Sequence, residues 1–495
     1  MPAENKYICD DSADNKMKPV PKKIIGRAHE QQLLSAICAS KDSDLLAITG
    51  RRRIGKTYLI RTYFQQQLHF EFSGVINAGW ETQLQNFDYA LRRHEKPSAK
   101  RSKPANWLEA FHQLTVYLDT IKTSEKKIVF IDEFPWLDTH KSNFLSAFDW
   151  FWNTWAVRKN ILVIICGSAT SWMIQKIINH RGGLHNRVTK RIHLEPFTLG
   201  ETEHYLQQHN IRLNRYQITT LYMVFGGVPH YLNEIVSGES AMQTIQRVCF
   251  DKKGLLVNEF DNLYRALFIQ ADNHIEVVKA LAKKRIGLSR KELLATSKLK
   301  DGGTFSKVLE ELEWSGFIES YAPFGKIKKD KLFRLTDEFS LFYLTFMFQK
   351  KNVNWQQLAA SSVWKSWSGY TFESICMKHL PQLKKALGIA SVYTEYSSFI
   401  SKGKLSAKGA QIDLLIDRND QVINLCEMKF TDQPFIITKA YAAQLREKKA
   451  VFMNETGTKK AVFPTFITSF GVVSNEHSIG LMQQHVSLDD LFLPA

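Results

Sequence analysis

Two groups of residues in this chain have the types and spacing that phosphate chemistry requires. The first is the run Gly-Arg-Arg-Arg-Ile-Gly-Lys-Thr, which fits the phosphate-binding pattern G-x-x-x-x-G-K-[ST]. Lys56 is expected to bridge the β- and γ-phosphates of a nucleotide, and the Thr57 hydroxyl to hold Mg²⁺. The whole run is assigned to nucleotide binding, and its three arginines either neutralise phosphate or face solvent. Its remaining members are Gly50, Arg51, Arg52, Arg53, Ile54 and Gly55.

The elements around this run are those that such a loop needs. Leu45–Thr49 is a short apolar run typical of a fully buried strand, and Tyr58–Phe64 has the pattern of a helix. Glycines allow backbone N–H groups to approach phosphate oxygens closely, and a helix N-terminus adds a partial positive charge. The sequence therefore predicts a nucleotide site between a strand and a helix.

A pair of carboxylates ends the next buried-strand pattern, Lys127–Asp132. Beside a phosphate-binding loop this pattern is typical of a Walker B strand. Asp132 is expected to hold Mg²⁺ through its water shell, and Glu133 to polarise the attacking water. ATP and Mg²⁺ are therefore the predicted cofactors.

Two further nucleotide contacts are predicted near a third apolar strand, Ile161–Cys166. Ser168 follows at the carboxyl edge, where parallel α/β sheets bind ligands, and is a candidate sensor of the γ-phosphate. The same serine could cap the helix that begins near Ser171, and one residue could serve both roles. Arg187, in the basic loop before the next strand, is a candidate to reach a γ-phosphate within the subunit or across an interface.

The second chemical group lies in the C-terminal third. Asp413 and Glu427 stand in two apolar runs joined by the turn Arg418–Asp420, which predicts a β-hairpin. Lys429 lies two positions after Glu427, so both side chains occupy one face. Buried charges are costly unless they are paired or bind metal. Asp413 and Glu427 are expected to coordinate Mg²⁺, while Lys429 orients or activates water and stabilises negative charge on phosphate. The alternative is a half-exposed hairpin in which Glu427 and Lys429 form only a charge pair.

Between these groups, three helical patterns precede a second hairpin, which is the order of a winged-helix domain. If the domain reads DNA, Thr304, Ser306 and Lys307 lead the third helix into the major groove. Glutamates on that helix would repel phosphate, so packing against the ATPase core is favoured. The predicted segments are His274–Ala282, Ser289–Leu294, Phe305–Leu312, Phe317–Tyr321 and Lys331–Leu335.

The N-terminal motifs, taken in order, resemble the archaeal-type ATPase family of the STAND class, among the AAA+ relatives. The resemblance spans residues 24–240 and implies a nucleotide-dependent switch with slow turnover. It also implies that Gly26, Arg27 and Pro229 contact the nucleotide, although ordinary turn chemistry explains the same residues. The motifs that carry it are Ile24–Glu30, Gly50–Thr57, Asp132–Phe134, Leu194–Phe197 and Phe225–Leu232.

The arrangement of Asp413, Glu427 and Lys429 resembles the PD-(D/E)XK nuclease superfamily over residues 366–475. The resemblance implies that Glu373, on a preceding helix, is an additional acid beside the metal. Ile412 stands where that superfamily often has proline. Both a working nuclease and a related fold that binds without cutting remain open.

Length and composition set the frame for these sites. A chain of 495 residues needs several domains, and a formal charge of +17 favours a polyanionic partner such as DNA, although a solvated lysine-rich surface gives the same charge. Scattered cysteines and the absence of an apolar leader or a spanning segment predict a cytoplasmic protein with no membrane association. The predicted organisation is a disordered tail (1–23), a P-loop ATPase core with a parallel sheet (24–200), a helical lid (201–270), a winged-helix domain (271–345) and an α/β restriction-endonuclease-like domain (346–495).

The sequence thus predicts an ATP-binding switch ATPase with slow Mg²⁺-dependent hydrolysis, coupled to a C-terminal nuclease-like domain that binds and could cleave DNA. The alternative is an ATP-dependent scaffold or transcription regulator in which the nuclease-like fold is inactive. A nucleotide-dependent homo-oligomer is compatible with either.

Overall fold

The computed structural model describes residues 23–95, 101–178, 187–326, 330–349, 354–401, 403 and 409–494. The predicted disordered tail, apart from Lys23, lies outside these residues, as does most of the basic loop before Arg187. Within the described ranges no helix is both long enough and apolar enough to cross a membrane, and the five cysteines there are unpaired.

Helices are the most abundant element of the described structure, and four of them continue into one π-helical turn. The α-helices are α1 (Ala28–Ala39), α2 (Lys56–Phe64), α3 (Trp80–His94), α4 (Trp107–Thr120), α5 (Phe144–Trp150), α6 (Thr170–Met173), α7 (Leu199–Gln208), α8 (Arg215–Phe225), α9 (Pro229–Leu232), α10 (Ala241–Ile245), α11 (Glu259–Leu267), α12 (Ala271–Ala282), α13 (Arg290–Ser297), α14 (Gly303–Trp314), α15 (Glu338–Phe342), α16 (Trp355–Ala359), α17 (Ser362–Lys378), α18 (Leu380–Ala386), α19 (Lys439–Thr456) and α20 (Glu476–Ile479).

The N-terminal part is built on a five-stranded parallel sheet with the order β2-β3-β4-β1-β5. Successive residues of β1 face two different cores: Leu45 and Ala47 pack on one side, Leu46 and Ile48 on the other. Helices cover both faces, which explains why these strands are continuously apolar. The strands are β1 (Asp44–Thr49), β2 (Phe70–Ser73), β3 (Lys127–Asp132), β4 (Ile161–Cys166) and β5 (Lys190–His193).

The middle of the chain contains the predicted helices and hairpin. Ser289 caps α13 with a complete capping box, and α14 buries its apolar face. A three-stranded antiparallel sheet follows, with the order β6-β8-β7. Its strands are β6 (Leu288–Ser289), β7 (Ile318–Tyr321) and β8 (Leu332–Leu335).

The C-terminal part contains a mixed five-stranded sheet with the order β13-β12-β11-β10-β9. The predicted hairpin is the antiparallel pair β10 and β11, whereas β11, β12 and β13 run parallel. The pairing of β10 with β9 shifts register between Ile412 and Leu415, which marks a bulge beside Asp413. The strands are β9 (Thr394–Ser401), β10 (Ala410–Arg418), β11 (Val422–Lys429), β12 (Ala461–Thr468) and β13 (Gln484–Ser487).

One continuous cluster of buried apolar side chains runs from Phe197 to Phe492. It joins the helices after β5, the small antiparallel sheet and one face of the C-terminal sheet. The predicted boundaries at residues 270 and 345 therefore fall inside a shared core.

Candidate functional site

The glycine-rich loop occupies the carboxyl end of β1, at the centre of the parallel sheet. Gly50 has a φ of +132°, and a Cβ there would lie 2.3 Å from the carbonyl oxygen of Leu194. Only glycine fits this position without displacement of the backbone. Lys56 is buried, and its Nζ donates to the carbonyl oxygens of Gly50 at 2.8 Å and Arg51 at 2.9 Å.

The two predicted magnesium ligands of the nucleotide site, Thr57 and Asp132, lie together. The Thr57 hydroxyl donates to Oδ2 of Asp132 at 2.7 Å, so α2 and β3 bring their oxygens to one point. A hydroxyl beside a buried carboxylate suits Mg²⁺, which takes few protein oxygens and completes its shell with phosphate and water. The residues present therefore fit the predicted ion.

Glu133, the predicted general base, is held in an uncommon conformation. Its φ of 46° lies in the left-handed region, which is costly for a residue other than glycine. Ser168 Oγ donates to its carboxylate at 3.0 Å. Ser168 is buried against Glu133, and the helix that follows has Ala169 as its N-cap. The helix-capping alternative for Ser168 is therefore wrong.

A cavity of about 780 Å³ opens beside the loop, within the size range of small-molecule sites. Its lining includes the side chains of Tyr205, His209 and Asn233, which the sequence patterns did not single out. The tilted rings of Tyr205, on α7, and His209, which follows the helix as its C-cap, lie 4.4 Å apart between centroids, and their i, i+4 spacing was the available signal. The predicted contacts that line the cavity are Arg27, Arg52, Arg53, Ile54, Gly55, Lys56, Thr57, Glu133 and Pro229.

The predicted Gly-Arg segment before α1 lies against the loop. Gly26 and Arg27 both have positive φ, and a Cβ on Gly26 would lie 2.6 Å from the Glu201 carboxylate. The Arg27 guanidinium lies 4.6 Å from the Phe197 ring centroid and donates to the Ile54 carbonyl at 3.3 Å. Its pKa is lowered by burial. Arg187, in contrast, is exposed and is not part of the cavity lining.

The three arginines of the loop have three different surroundings. Arg51 is buried and forms an ion pair with the fully buried Asp337, at the N-terminus of α15. Burial alone would lower the pKa of Arg51, but Asp337 raises it. Arg53 pairs with the buried carboxylate of Glu259 at 2.6 Å. Arg52 is exposed and lines the cavity. The sequence alternatives for these arginines, phosphate or solvent, did not include internal ion pairs.

In the C-terminal sheet, the β10–β11 register ends at Leu414 opposite Cys426. Asp413 and Glu427 are the next residues outward, beyond the last paired positions and beside the bulge in β10. Gln411 Nε2 donates to Asp413 at 2.6 Å.

Glu427 is surrounded by cationic and phenolic donors. Lys448 Nζ lies 2.7 Å from Oε1, the Tyr441 hydroxyl 2.6 Å from Oε2 and Lys429 Nζ 3.4 Å from Oε2. Burial would raise the pKa of Glu427, but Lys448 and Lys429 hold it below its usual value. Lys448 and Tyr441 come from α19, and no pattern in the strands indicated them.

Glu373 completes this group from α17. Burial, together with the charge of Asp413, raises its pKa to about 8, although Lys429 opposes the shift. The structure thus brings Glu373, Asp413, Glu427 and Lys429 into one electrostatic neighbourhood. Both oxygens of Glu427 already accept hydrogen bonds, and the described residues contain no group of three His, Cys, Asp or Glu side chains that could hold a metal. In this arrangement the group does not fit the predicted Mg²⁺.

Comparison with known proteins agrees with the N-terminal site. Residues 25–235 match a family model described as an ATPase domain predominantly from Archaea. The chain is 24% identical over 444 residues to the uncharacterized protein MJECL04 of Methanocaldococcus jannaschii, covering 87% of this chain and 93% of that one.

Among solved structures, the chain resembles the Walker-type ATPase PABY2304 of Pyrococcus abyssi. The TM-score is 0.50 at 17% identity, covering 66% of this chain and 98% of that one. A weaker match, with a TM-score of 0.41 and 15% identity, is the ORC2 protein of Aeropyrum pernix, with 74% and 97% covered. Residues 25–235 thus match an ATPase domain and have the fold of a P-loop ATPase, and the protein is an ATP-hydrolysing enzyme.

Proposed function

We propose that the protein is a nucleotide switch, in which slow Mg²⁺-dependent ATP hydrolysis at the P-loop controls a C-terminal part that acts on DNA. Residues 24–200 are assigned to the ATPase core and 201–270 to its lid. Residues 271–345 are assigned to a winged-helix module and 346–495 to a nuclease-like domain. The shared core from Phe197 to Phe492 supports mechanical coupling between the lid, the winged-helix module and the nuclease-like domain.

The observation that carries the proposal is the position of Arg51. Its carbonyl oxygen accepts a hydrogen bond from Lys56, and its guanidinium pairs with Asp337. Because Lys56 is the residue that binds β- and γ-phosphates in a P-loop, nucleotide binding withdraws it from the Arg51 carbonyl. A shift of Arg51 is then transmitted to α15 through the buried ion pair with Asp337. Arg53 makes a parallel connection to α11 through Glu259.

In the proposed hydrolysis, Glu133 accepts a proton from water as the water oxygen bonds to the γ-phosphorus. The bond from that phosphorus to the bridging oxygen breaks, and the electron pair leaves with ADP. Ser168 acts as a positioning residue for Glu133. Thr57 and Asp132 would hold Mg²⁺, which supplies charge neutralisation on the phosphates when bound.

The proposed output is DNA binding. Phosphodiester hydrolysis at Asp413, Glu427 and Lys429 requires that Lys448 and Tyr441 release the Glu427 carboxylate. The formal charge of +17 supports the binding of DNA, and the electrostatic neighbourhood that Asp413, Glu427 and Lys429 share with Glu373 supports the choice of residues. The C-terminal half of α14 supports a packing role for the winged-helix module: Glu311 accepts hydrogen bonds from His274 at 2.8 Å and Ser171 at 3.5 Å.

Two assays test the proposal. ATP affinity by calorimetry and phosphate release are compared for wild type, Lys56→Ala and Glu133→Gln. We expect Lys56→Ala to lose ATP binding, and Glu133→Gln to retain binding but lose turnover. Plasmid nicking with Mg²⁺ or Mn²⁺ is compared for wild type, Asp413→Asn and Lys429→Ala, with and without ATP. Cleavage that is equal in all three proteins would remove the nuclease assignment.

A regulatory protein without nuclease activity is the second candidate. It is favoured by Glu427, whose carboxylate is bonded to Lys448 and Tyr441 instead of being open to a metal. This candidate predicts that ATP changes DNA affinity or oligomeric state while no preparation cleaves DNA. Light scattering and DNA titration with and without a non-hydrolysable ATP analogue would distinguish it.

A further inference from the structure

The cavity beside the P-loop has two chemically different parts. In one part, the N-terminus of α2 presents Gly55, Lys56 and Thr57, which suit the phosphates of a nucleotide. The other part is lined by apolar and aromatic side chains, which suit the flat face of a base: Ile24, Ile25, Leu59 and Tyr205. A nucleoside triphosphate whose phosphates occupy the loop therefore places its base beside Tyr205.

The Asn233 amide, at the C-terminal end of α9, is held by one hydrogen bond. The Tyr205 hydroxyl donates to its Oδ1, so this oxygen is already occupied as an acceptor. The Nδ2 atom has no hydrogen-bond partner among the described residues. Because Asn233 lines the cavity, Nδ2 is available there as a donor to a ligand. Tyr205 thus determines which edge of the amide a bound base meets.

A second hydrogen bond sets the tautomer of His209. Its Nδ1 lies 2.8 Å from the Tyr205 carbonyl oxygen, which can only accept, so Nδ1 carries the proton. In the neutral ring Nε2 is then an acceptor, and in the part of the chain that the structure describes it too is without a partner. His209 also lines the cavity. Since Asn233 and His209 both contact Tyr205, the cavity presents one donor and one acceptor beside this ring.

This donor and acceptor are complementary to one kind of purine. Adenine has a donor, its 6-amino group, next to an acceptor, N1, whereas guanine and hypoxanthine have an acceptor at position 6 and a proton on N1. We propose that Asn233 and His209 select adenine: Asn233 Nδ2 donates to N1, and His209 Nε2 accepts from the 6-amino group. Tyr205 is a positioning residue that orients both. The inference rests on nucleotide binding at the P-loop, which the proposed function also requires, and adds the residues that choose the base.

The test compares ATP with inosine triphosphate, which differ only at position 6 and in the N1 proton. Calorimetry gives both affinities for wild type, Asn233→Asp and Tyr205→Phe. Asn233→Asp replaces the donor by an acceptor at nearly constant shape. Asn210→Asp makes the same change just after α7, beside a different cavity, and is the matched control. Inorganic triphosphate, which has no base, checks that the phosphate site of each variant is folded.

We expect wild type to bind ATP at least about ten-fold more tightly than inosine triphosphate, because the second nucleotide reverses both hydrogen bonds. Asn233→Asp should lower the ratio of the two affinities at least about ten-fold, and Asn210→Asp should leave it unchanged. Tyr205→Phe should bring the ratio towards one, since the Asn233 amide can then turn either edge to the base. The ratio separates this effect from any general effect of the added charge.

The assignment is overturned if wild type binds the two nucleotides equally, or if Asn233→Asp leaves the ratio unchanged while ATP still binds. An unchanged ratio in Tyr205→Phe would remove the positioning role. If wild type binds neither nucleotide nor inorganic triphosphate, the P-loop site itself is wrong, and the proposed switch fails together with this inference.

Discussion

The buried ion pair between Arg51 and Asp337 gives the sharpest prediction of stability. Asp337 is fully buried and also caps α15, accepting the Ser340 amide at 2.8 Å. Burial would raise the pKa of Asp337, but the Arg51 charge holds it below its usual value, so the pair is ionised at neutral pH. Asp337→Asn keeps the shape and the cap, because asparagine caps helices about as well as aspartate. It removes the charge that compensates Arg51.

Loss of one partner from a buried pair costs about 3–5 kcal/mol, so Asp337→Asn should lower the free energy of the first unfolding transition by about 3 kcal/mol. Arg51→Met should cost a similar amount. The double variant should cost about 2 kcal/mol less than the sum, since neither charge is then left unpaired. Urea unfolding followed by fluorescence gives the three values.

The exposed pair Arg61–Glu71 provides the control. Glu71→Gln should cost about 0–1 kcal/mol, as is usual for surface ion pairs. The reasoning is refuted if Asp337→Asn costs no more than Glu71→Gln, or if the effects of Arg51→Met and Asp337→Asn simply add.

Three other predictions follow from the site and its supports. Glu133→Gln should reduce ATP turnover at least about 100-fold, measured by phosphate release, while calorimetry shows nearly unchanged ATP affinity; equal turnover would exclude Glu133 as the base. Gly50→Ala should lower the free energy of unfolding in urea by about 1–3 kcal/mol more than Gly238→Ala does. Both glycines have a positive φ, but only a Cβ at position 50 would clash with backbone atoms. Equal losses in the two variants would contradict this reasoning. Burial lowers the pKa of His379 to about 4, so the unfolded chain takes up a proton before the folded chain does as the pH falls below 6.5. Wild type should therefore lose about 2 kcal/mol of its free energy of unfolding between pH 7.5 and pH 5. His379→Leu should abolish that part of the pH dependence.

Local patterns in the sequence predicted much of the architecture. The strand before Gly50, the Walker B strand ending at Asp132 and the β10–β11 hairpin lie where the apolar runs indicated. Each of these features depends on residues that are near one another in the chain. The contact between Thr57 and Asp132 was predictable as well, because two parallel strands of one sheet end at the same edge.

Contacts between distant segments were not predictable from pattern. Arg51 and Asp337 are 286 positions apart, and nothing in the loop motif distinguishes an arginine that binds phosphate from one that binds a carboxylate. The donors to Glu427 come from a helix that follows the hairpin. Ser168 lies at the edge of the sheet, as the pattern indicated. Its hydrogen bond to Glu133 could not be predicted, because it depends on the left-handed backbone conformation that directs the Glu133 side chain.

The central claim is that nucleotide at the P-loop changes the structure around Asp337. Hydrogen exchange of the Ser340 amide, which is bonded to the Asp337 carboxylate, measures this directly. With a non-hydrolysable ATP analogue and Mg²⁺, the account predicts altered exchange at Ser340 in wild type and no change in Lys56→Ala. Identical exchange with and without the analogue, in wild-type protein that calorimetry shows to be saturated, would contradict it.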